Sequence, residues 1–153
     1  DRRGRAAAMN MVMTETGAAK AVSKAIPSLE GKLSASAIRV PVINVSIAVL
    51  SLNLKAETSV EEINEVLKKA SASAALAGQI GFSAEADAVS SDFIGSEQAG
   101  ILDSLSTKVR GNQATLYVWY DNEYGYSCQV VRLMEKLAQM ALADSNAVET
   151  AAA

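Results

Sequence analysis

The sequence predicts an α+β fold built on a largely antiparallel sheet. Three observations carry that prediction. Residues 36 to 54, SAIRVPVINVSIAVLSLNL, are dense in Val, Ile and Leu, side chains that suit a pleated surface. KVRGNQ followed by ATLYVWY reads as a hairpin turn feeding a strand, because Gly111 and Asn112 tolerate positive φ. Few segments show helical spacing, and strands that run into hairpins argue against strict strand–helix alternation.

The elements follow in order. Residues 1 to 15 form a basic, alanine-rich lead-in. TGAAKAVSKAIP is a short helix that Thr16 or Thr14 caps, that Gly17 lets the chain enter tightly and that Pro27 ends. Its apolar stripe is Ala18, Val22, Ala25 and Ile26. In the strand-rich stretch, Pro41 breaks the ladder, so two strand pieces or a bulge are expected. Beyond it Val45, Ile47 and Val49 share one face, and Ala48, Leu50, Leu52 and Leu54 the other. Both faces are therefore expected to be at least partly covered.

SVEEINEVLKKA is the clearest helix. Ser59 and Glu62 form a capping box, and Val60, Ile63, Val66, Leu67 and Ala70 recur at helical spacing. Lys68 and Lys69 sit where the helix dipole favours cations. Short strands are expected near Gly78–Phe82, Val89–Phe93 and Ile101–Thr107. SCQVVRLMEKLAQMAL is a closing helix, expected to turn Val130, Val131, Met134, Leu137, Ala138 and Ala141 inward. Residues 143–153 lack large apolar side chains and are expected to fray.

Composition narrows the chemistry. Half of the residues are apolar, but alanine supplies much of that, so the core is expected to use small side chains. The net charge of −3 argues against nucleic acid or an anionic membrane as a generic partner, although Asp1-Arg2-Arg3-Gly4-Arg5 is locally basic. No apolar run reaches the ~20 residues that span a bilayer. One cysteine rules out an internal disulfide framework and fits a reducing, cytoplasmic setting. Histidine is absent, which removes the commonest general base and metal ligand, so no metal site is expected. A Cys-His or Ser-His-Asp mechanism cannot be assembled from these residues alone. The first residue is Asp1 rather than Met, and the sequence reads as if taken from something longer.

Several residues invite a functional reading. Thr16-Gly17 is either an ordinary cap or a helix start whose free N–H groups suit a phosphate. Arg39 lies among apolar strand residues, either facing solvent or forming a bidentate phosphate fork. Asn122 sits between a strand and a helix, where an Asx turn is the simple account. Most of the aromatics crowd into LYVWYDNEYGYS, and Trp119 and Tyr120 read as core or interface bulk. Cys128 follows Ser127 near a helix start, a setting that can activate a thiol, but it reads as a small packing residue.

Three stretches in order, TETGAAKAVSKAIPSLEGKL, IRVPVINVSIAVL and WYDNEYGYSCQVV, with VSSDFIG before the last, resemble one family. They look like the later part of the catalytic domain of phosphorylating glyceraldehyde-3-phosphate dehydrogenase, from residue 1 to about residue 142. The resemblance implies a mixed, mainly antiparallel sheet with helices packed on one face and the first strands of the domain missing. It makes residues 1–142 a partial catalytic domain and 143–153 a tail.

The resemblance implies NAD, or NADP, as cofactor, bound mainly by an absent Rossmann domain. It implies a phosphorylated aldehyde and inorganic phosphate as small-molecule partners, and a homo-oligomer, a tetramer in the family. By resemblance, Thr16 and Gly17 hold the attacking phosphate, with Arg3 approaching it, and Arg39 grips the substrate's phosphate. Asn122 meets the nicotinamide carboxamide and Tyr126 packs beside that ring. Glu15 stands where the family has Ser or Thr, and Ile43 where it has proline. The family's Ser-Cys-Thr-Thr-Asn nucleophile motif, its histidine and the GxGxxG turn do not occur here, so this chain alone is expected to be inactive. An erythrose-4-phosphate dehydrogenase fragment and a non-catalytic self-associating assembly module are the alternatives.

Overall fold

A computed structural model describes residues 2–5 and 7–151. The chain folds as two compact units, Asp1–Ile43 and Asn44–Ala153.

In the first unit, strand β1 (Val12–Glu15) pairs antiparallel with β2 (Ser36–Arg39), with Val12 opposite Arg39 and Glu15 opposite Ser36. The lead-in thus contains a strand where the sequence predicts none. Its partner lies more than twenty residues away, and no local alternation announces it. Helix α1 (Ala18–Ala25) follows β1, and a 3-10 turn at Pro27–Leu29 ends the helical run where proline forbids more.

The second unit carries the main sheet, in the order β3 (Ser46–Asn53), β7 (Gln113–Tyr120), β5 (Gly100–Asp103), β4 (Ile80–Ser83), with β6 (Lys108–Arg110) also on β7. β4 and β5 run parallel and the other pairs antiparallel, so the sheet is mixed. The fold is α+β, as the sequence predicts. β6 and β7 meet at a two-residue turn in which Gly111 takes φ 59°, a conformation that costs glycine little. The strand-rich stretch does split around Pro41, into β2 and β3, and the two pieces join different sheets.

Helix α2 (Val60–Ala72) begins with the complete capping box. Ser59 Oγ accepts from Glu62 N, and Glu62 Oε2 accepts from Ser59 N, each at 3.1 Å. Asn64 docks the helix: its Nδ2 donates to Ser104 O at 2.9 Å and its Oδ1 accepts from Thr107 Oγ1 at 2.9 Å. The core centres on Val45, Phe93 and Ile101, with Ala88 and Trp119 packed against it. Phe93 and Trp119 stack with centroids 5.3 Å apart, and Trp119 Nε1 donates to Asp103 Oδ2 at 3.1 Å.

Three expectations need correction. Ser90–Phe93 forms a 3-10 turn, not a strand, because Asp92 bonds back to Val89 N at 2.8 Å and closes the backbone locally. On β3, Ala48 and Leu52 are half-buried, as is Leu54 just beyond it, but Ile47, Val49 and Leu50 remain exposed, Val49 by 54%. β3 is an edge strand among the described residues, and the Ile47–Val49 face has no layer over it. Helix α3 (Tyr124–Ala151) keeps Val130, Val131, Met134, Leu137, Ala138 and Ala141 exposed rather than turned inward, Met134 by 63%. It also runs past residue 142, to Ala151. Residues 152 and 153 lie outside the described part. Among the described residues, no helix is long and apolar enough to cross a membrane.

Candidate functional site

The sequence-predicted residues fall in both units. Thr16, Gly17 and Arg39 belong to the first, Asn122 and Tyr126 to the second. Arg3 lies in a 3-10 turn, Arg2–Gly4, and its side chain is outside the described part.

In the first unit, residues directly opposite across β1 and β2 project from the same face. Arg39 therefore shares a face with Val12, Thr14 and Ala37. Its Nε donates to Thr14 Oγ1 at 3.3 Å, which steadies the guanidinium and leaves its terminal nitrogens exposed. Glu15 projects from the other face, with Met13, Ser36 and Ile38. The Glu15 carboxylate thus leaves the strand on the side away from Arg39.

Two residues beyond Thr14 the chain turns into α1. Gly17 is the N-cap, and Thr16 Oγ1 accepts from Ala18 N at 3.2 Å. One N–H of the first turn is satisfied in this way. The first turn of a helix has no intrahelical acceptors for its other N–H groups, and the dipole there favours an anion.

In the second unit, the organising residue is Asp121, which sequence reasoning missed. Its side chain is only 2% exposed. Oδ1 accepts from Glu123 N and Tyr124 N, both at 2.8 Å, and so caps α3. Oδ2 accepts from Gly95 N at 2.8 Å and from Asn44 Nδ2 at 3.0 Å. The N–H of Gly95, followed by those of Tyr124 and Glu123 and the Asn44 amide, hold the carboxyl down at about 2 against the opposing effect of burial. Three distant segments are thereby tied to one anion: the start of β3, the loop at 94–99 and the start of α3. The Asx turn expected of Asn122 belongs to Asp121 instead. The signal lay in the Asp121–Tyr124 spacing of a helix cap, hidden by the more conspicuous aromatics.

Asn122, released from capping, accepts from Ser46 Oγ at 2.7 Å. It lines a hollow of about 230 Å³ with Ala99, Tyr120, Asp121, Tyr126 and Gln129. Complete ligand pockets span ~300 to 1,000 Å³, so this hollow suits one end of a ligand. Asn122 brings an amide and Tyr126, 69% exposed, an aromatic ring to a lining that is otherwise mainly apolar, residues that could hold a flat, carboxamide-bearing ring such as nicotinamide. Cys128 is half-buried one full turn into α3, away from the helix start.

Val45 precedes β3 with φ 71°, which strains a β-branched residue by about 1–3 kcal/mol. Its N–H is held by Asn44 Oδ1 at 2.7 Å, and its side chain is 5% exposed in the core. The network around Asp121 over-determines this conformation.

Residues 1–122 match the family described as glyceraldehyde 3-phosphate dehydrogenase, C-terminal domain. A glyceraldehyde-3-phosphate dehydrogenase-like protein of Pseudomonas aeruginosa is 55% identical over 137 residues, covering 90% of this chain and 30% of that protein. The glyceraldehyde-3-phosphate dehydrogenase of Priestia megaterium is 47% identical over 142 residues, covering 92% of this chain and 42% of its own length. Glyceraldehyde-3-phosphate dehydrogenase 3 of Saccharomyces cerevisiae is 45% identical over 139 residues, 90% of this chain and 41% of that one. The chain thus spans between about a third and two fifths of these relatives.

Proposed function

This chain belongs to the glyceraldehyde 3-phosphate dehydrogenase family through its C-terminal domain, and on that premise we propose that it serves the phosphorylating oxidation of a glycolytic aldehyde. In this reading the longer protein works in the cytoplasm and turns the aldehyde into an acyl phosphate by way of a cysteine thioester. NAD, or NADP, when bound supplies the hydride acceptor. Residues 1–142 act as part of the catalytic domain, and 143–153 as a tail.

The chain's own residues bind and orient. Arg39 offers its terminal nitrogens to the substrate's phosphate, where a planar fork matches the oxygens. Thr16 and Gly17 place the start of α1 against inorganic phosphate, and Arg3 is assigned to the same anion by the family resemblance alone. Asn122 and Tyr126 hold the carboxamide-bearing ring at the hollow. Neither the thiol nucleophile nor the proton carrier is assigned to any of the 153 residues, since Cys128 is half-buried within α3 and histidine is absent.

The observation that carries the reading is the bond from Arg39 to Thr14, which sets a guanidinium two residues from the Thr16-Gly17 helix start. In the full-length protein, Arg39→Leu is expected to raise KM for the triose phosphate about 10- to 100-fold and to leave KM for NAD unchanged. Unchanged KM for the triose would remove Arg39 from the phosphate site. The same assay with erythrose 4-phosphate separates the tetrose alternative.

Self-association is the second reading, and the exposed Ile47 and Val49 face of β3 favours it. Sedimentation of the full-length protein carrying Val49→Lys tests it: a homo-oligomer seated on that face dissociates.

A further inference from the structure

The strained turn at Val45 delivers the next residue to a fixed place. Ser46 leaves that turn opposite Tyr120 in the β3–β7 register. Its hydroxyl donates to Asn122 Oδ1 at 2.7 Å, across 76 residues of sequence. Asn44 and Val45, immediately before it, are themselves held by Asp121 and by the core. Both partners of this hydrogen bond therefore stand on the same anchor, because Asn122 follows Asp121 directly.

An exposed asparagine carboxamide has two nearly isosteric orientations, with oxygen and nitrogen exchanged. A serine hydroxyl can donate to the oxygen or accept from the nitrogen, so it does not choose between them, but either bond holds the plane of the amide. We infer that Ser46 is a positioning residue for Asn122: its hydroxyl donates to the amide oxygen and so holds the plane and place of the carboxamide at the hollow that Tyr126 also lines. The ligand group recognised in this way is a planar primary carboxamide, which needs one donor and one acceptor at set angles. Val45 keeps its unfavourable φ where Asn44 and the core hold it, directly before Ser46. The inference rests on the reading that Asn122 meets the nicotinamide end of the cofactor.

The test uses full-length protein and two probes, NAD and ADP-ribose, the second lacking the nicotinamide ring. Dissociation constants are measured by calorimetry. Asn122→Ala is expected to weaken NAD about tenfold and to leave ADP-ribose unchanged. Ser46→Ala is expected to weaken NAD about 3- to 10-fold, again without effect on ADP-ribose. Ser46→Thr, which keeps the hydroxyl and suits a strand, is expected to stay within about twofold of the unaltered protein. The double variant is expected to bind NAD no more weakly than Asn122→Ala alone. If Asn122→Ala lowers NAD affinity and Ser46→Ala does not, the positioning role is overturned and the functional reading stands. If Asn122→Ala changes nothing, the functional reading falls, and the positioning role with it. Equal losses for both probes in Ser46→Ala would mark a general structural role and overturn the inference.

Discussion

Residues 124–132 and 133–143 belong to one helix, α3, and the two parts are held very differently. The first part is tied down. Asp121 caps it, Gln129 Nε2 donates to Glu97 O at 2.8 Å, and Arg132 reaches the same carbonyl at 3.0 Å. Gly125 lies so close to the loop at 96–98 that a Cβ would stand 2.8 Å from Gln98 O. The second part carries Leu133, Met134, Leu137, Met140 and Leu142, all exposed. Spacing alone predicts both parts equally well. The first is bonded to the loop at 94–99 while the large apolar side chains of the second stay exposed, and the difference shows that periodicity reports a helix without reporting what covers it.

The largest expected effect is at the capped end. Asp121→Ala leaves several backbone N–H groups without their acceptor, and is expected to cost about 3 kcal/mol in a denaturant melt. The same carboxylate makes that end acid-sensitive. Its pKa in the folded chain, about 2, lies below the ordinary aspartate value, so its contribution is full above pH ~4 and is lost as pH falls toward 2. Trp119 fluorescence followed through that window is expected to report loosening, and Asp121→Asn to remove the acid step. If the acid step persists in that variant, another group is responsible.

Gly125→Ala comes next. The new methyl meets backbone oxygens that have little room to yield, for a cost of about 1–3 kcal/mol. Faster amide exchange at 95–99 checks it. The smallest effect belongs to the bare end: Leu137, 56% exposed, is expected to tolerate Gln with less than about 0.5 kcal/mol change in this 153-residue chain. A clearly larger cost would erase the contrast between the two parts of α3.

How much could be read in advance follows from the reach of each interaction. The capping box at Ser59–Glu62 spans three residues, and the hairpin at Gly111 two, so both were legible. The bond between Arg39 and Thr14 spans 25 residues and that between Asn44 and Asp121 spans 77, and no local pattern records either. β1 escaped notice for the same reason. Local chemistry marks Thr16, Arg39 and Asn122 but leaves each with two readings, and only the ordered motifs choose between them and add Tyr126. Asp121 and Ser46 lie within those same motifs, but their weight appears only when distant segments are brought together. The exposure of Ile47 and Val49 was unreadable because alternation states which residues share a face, not whether another layer lies over it.

β3 carries one more consequence. Ser46–Asn53 holds eight residues with no charge and no proline, and one of its long sides is bare of backbone partners among the described residues. Such a border is a template on which an identical segment can stack, strand upon strand. Production of these residues in isolation is therefore expected to be governed by fibril growth from this border, and a lysine introduced at Val49 to slow it.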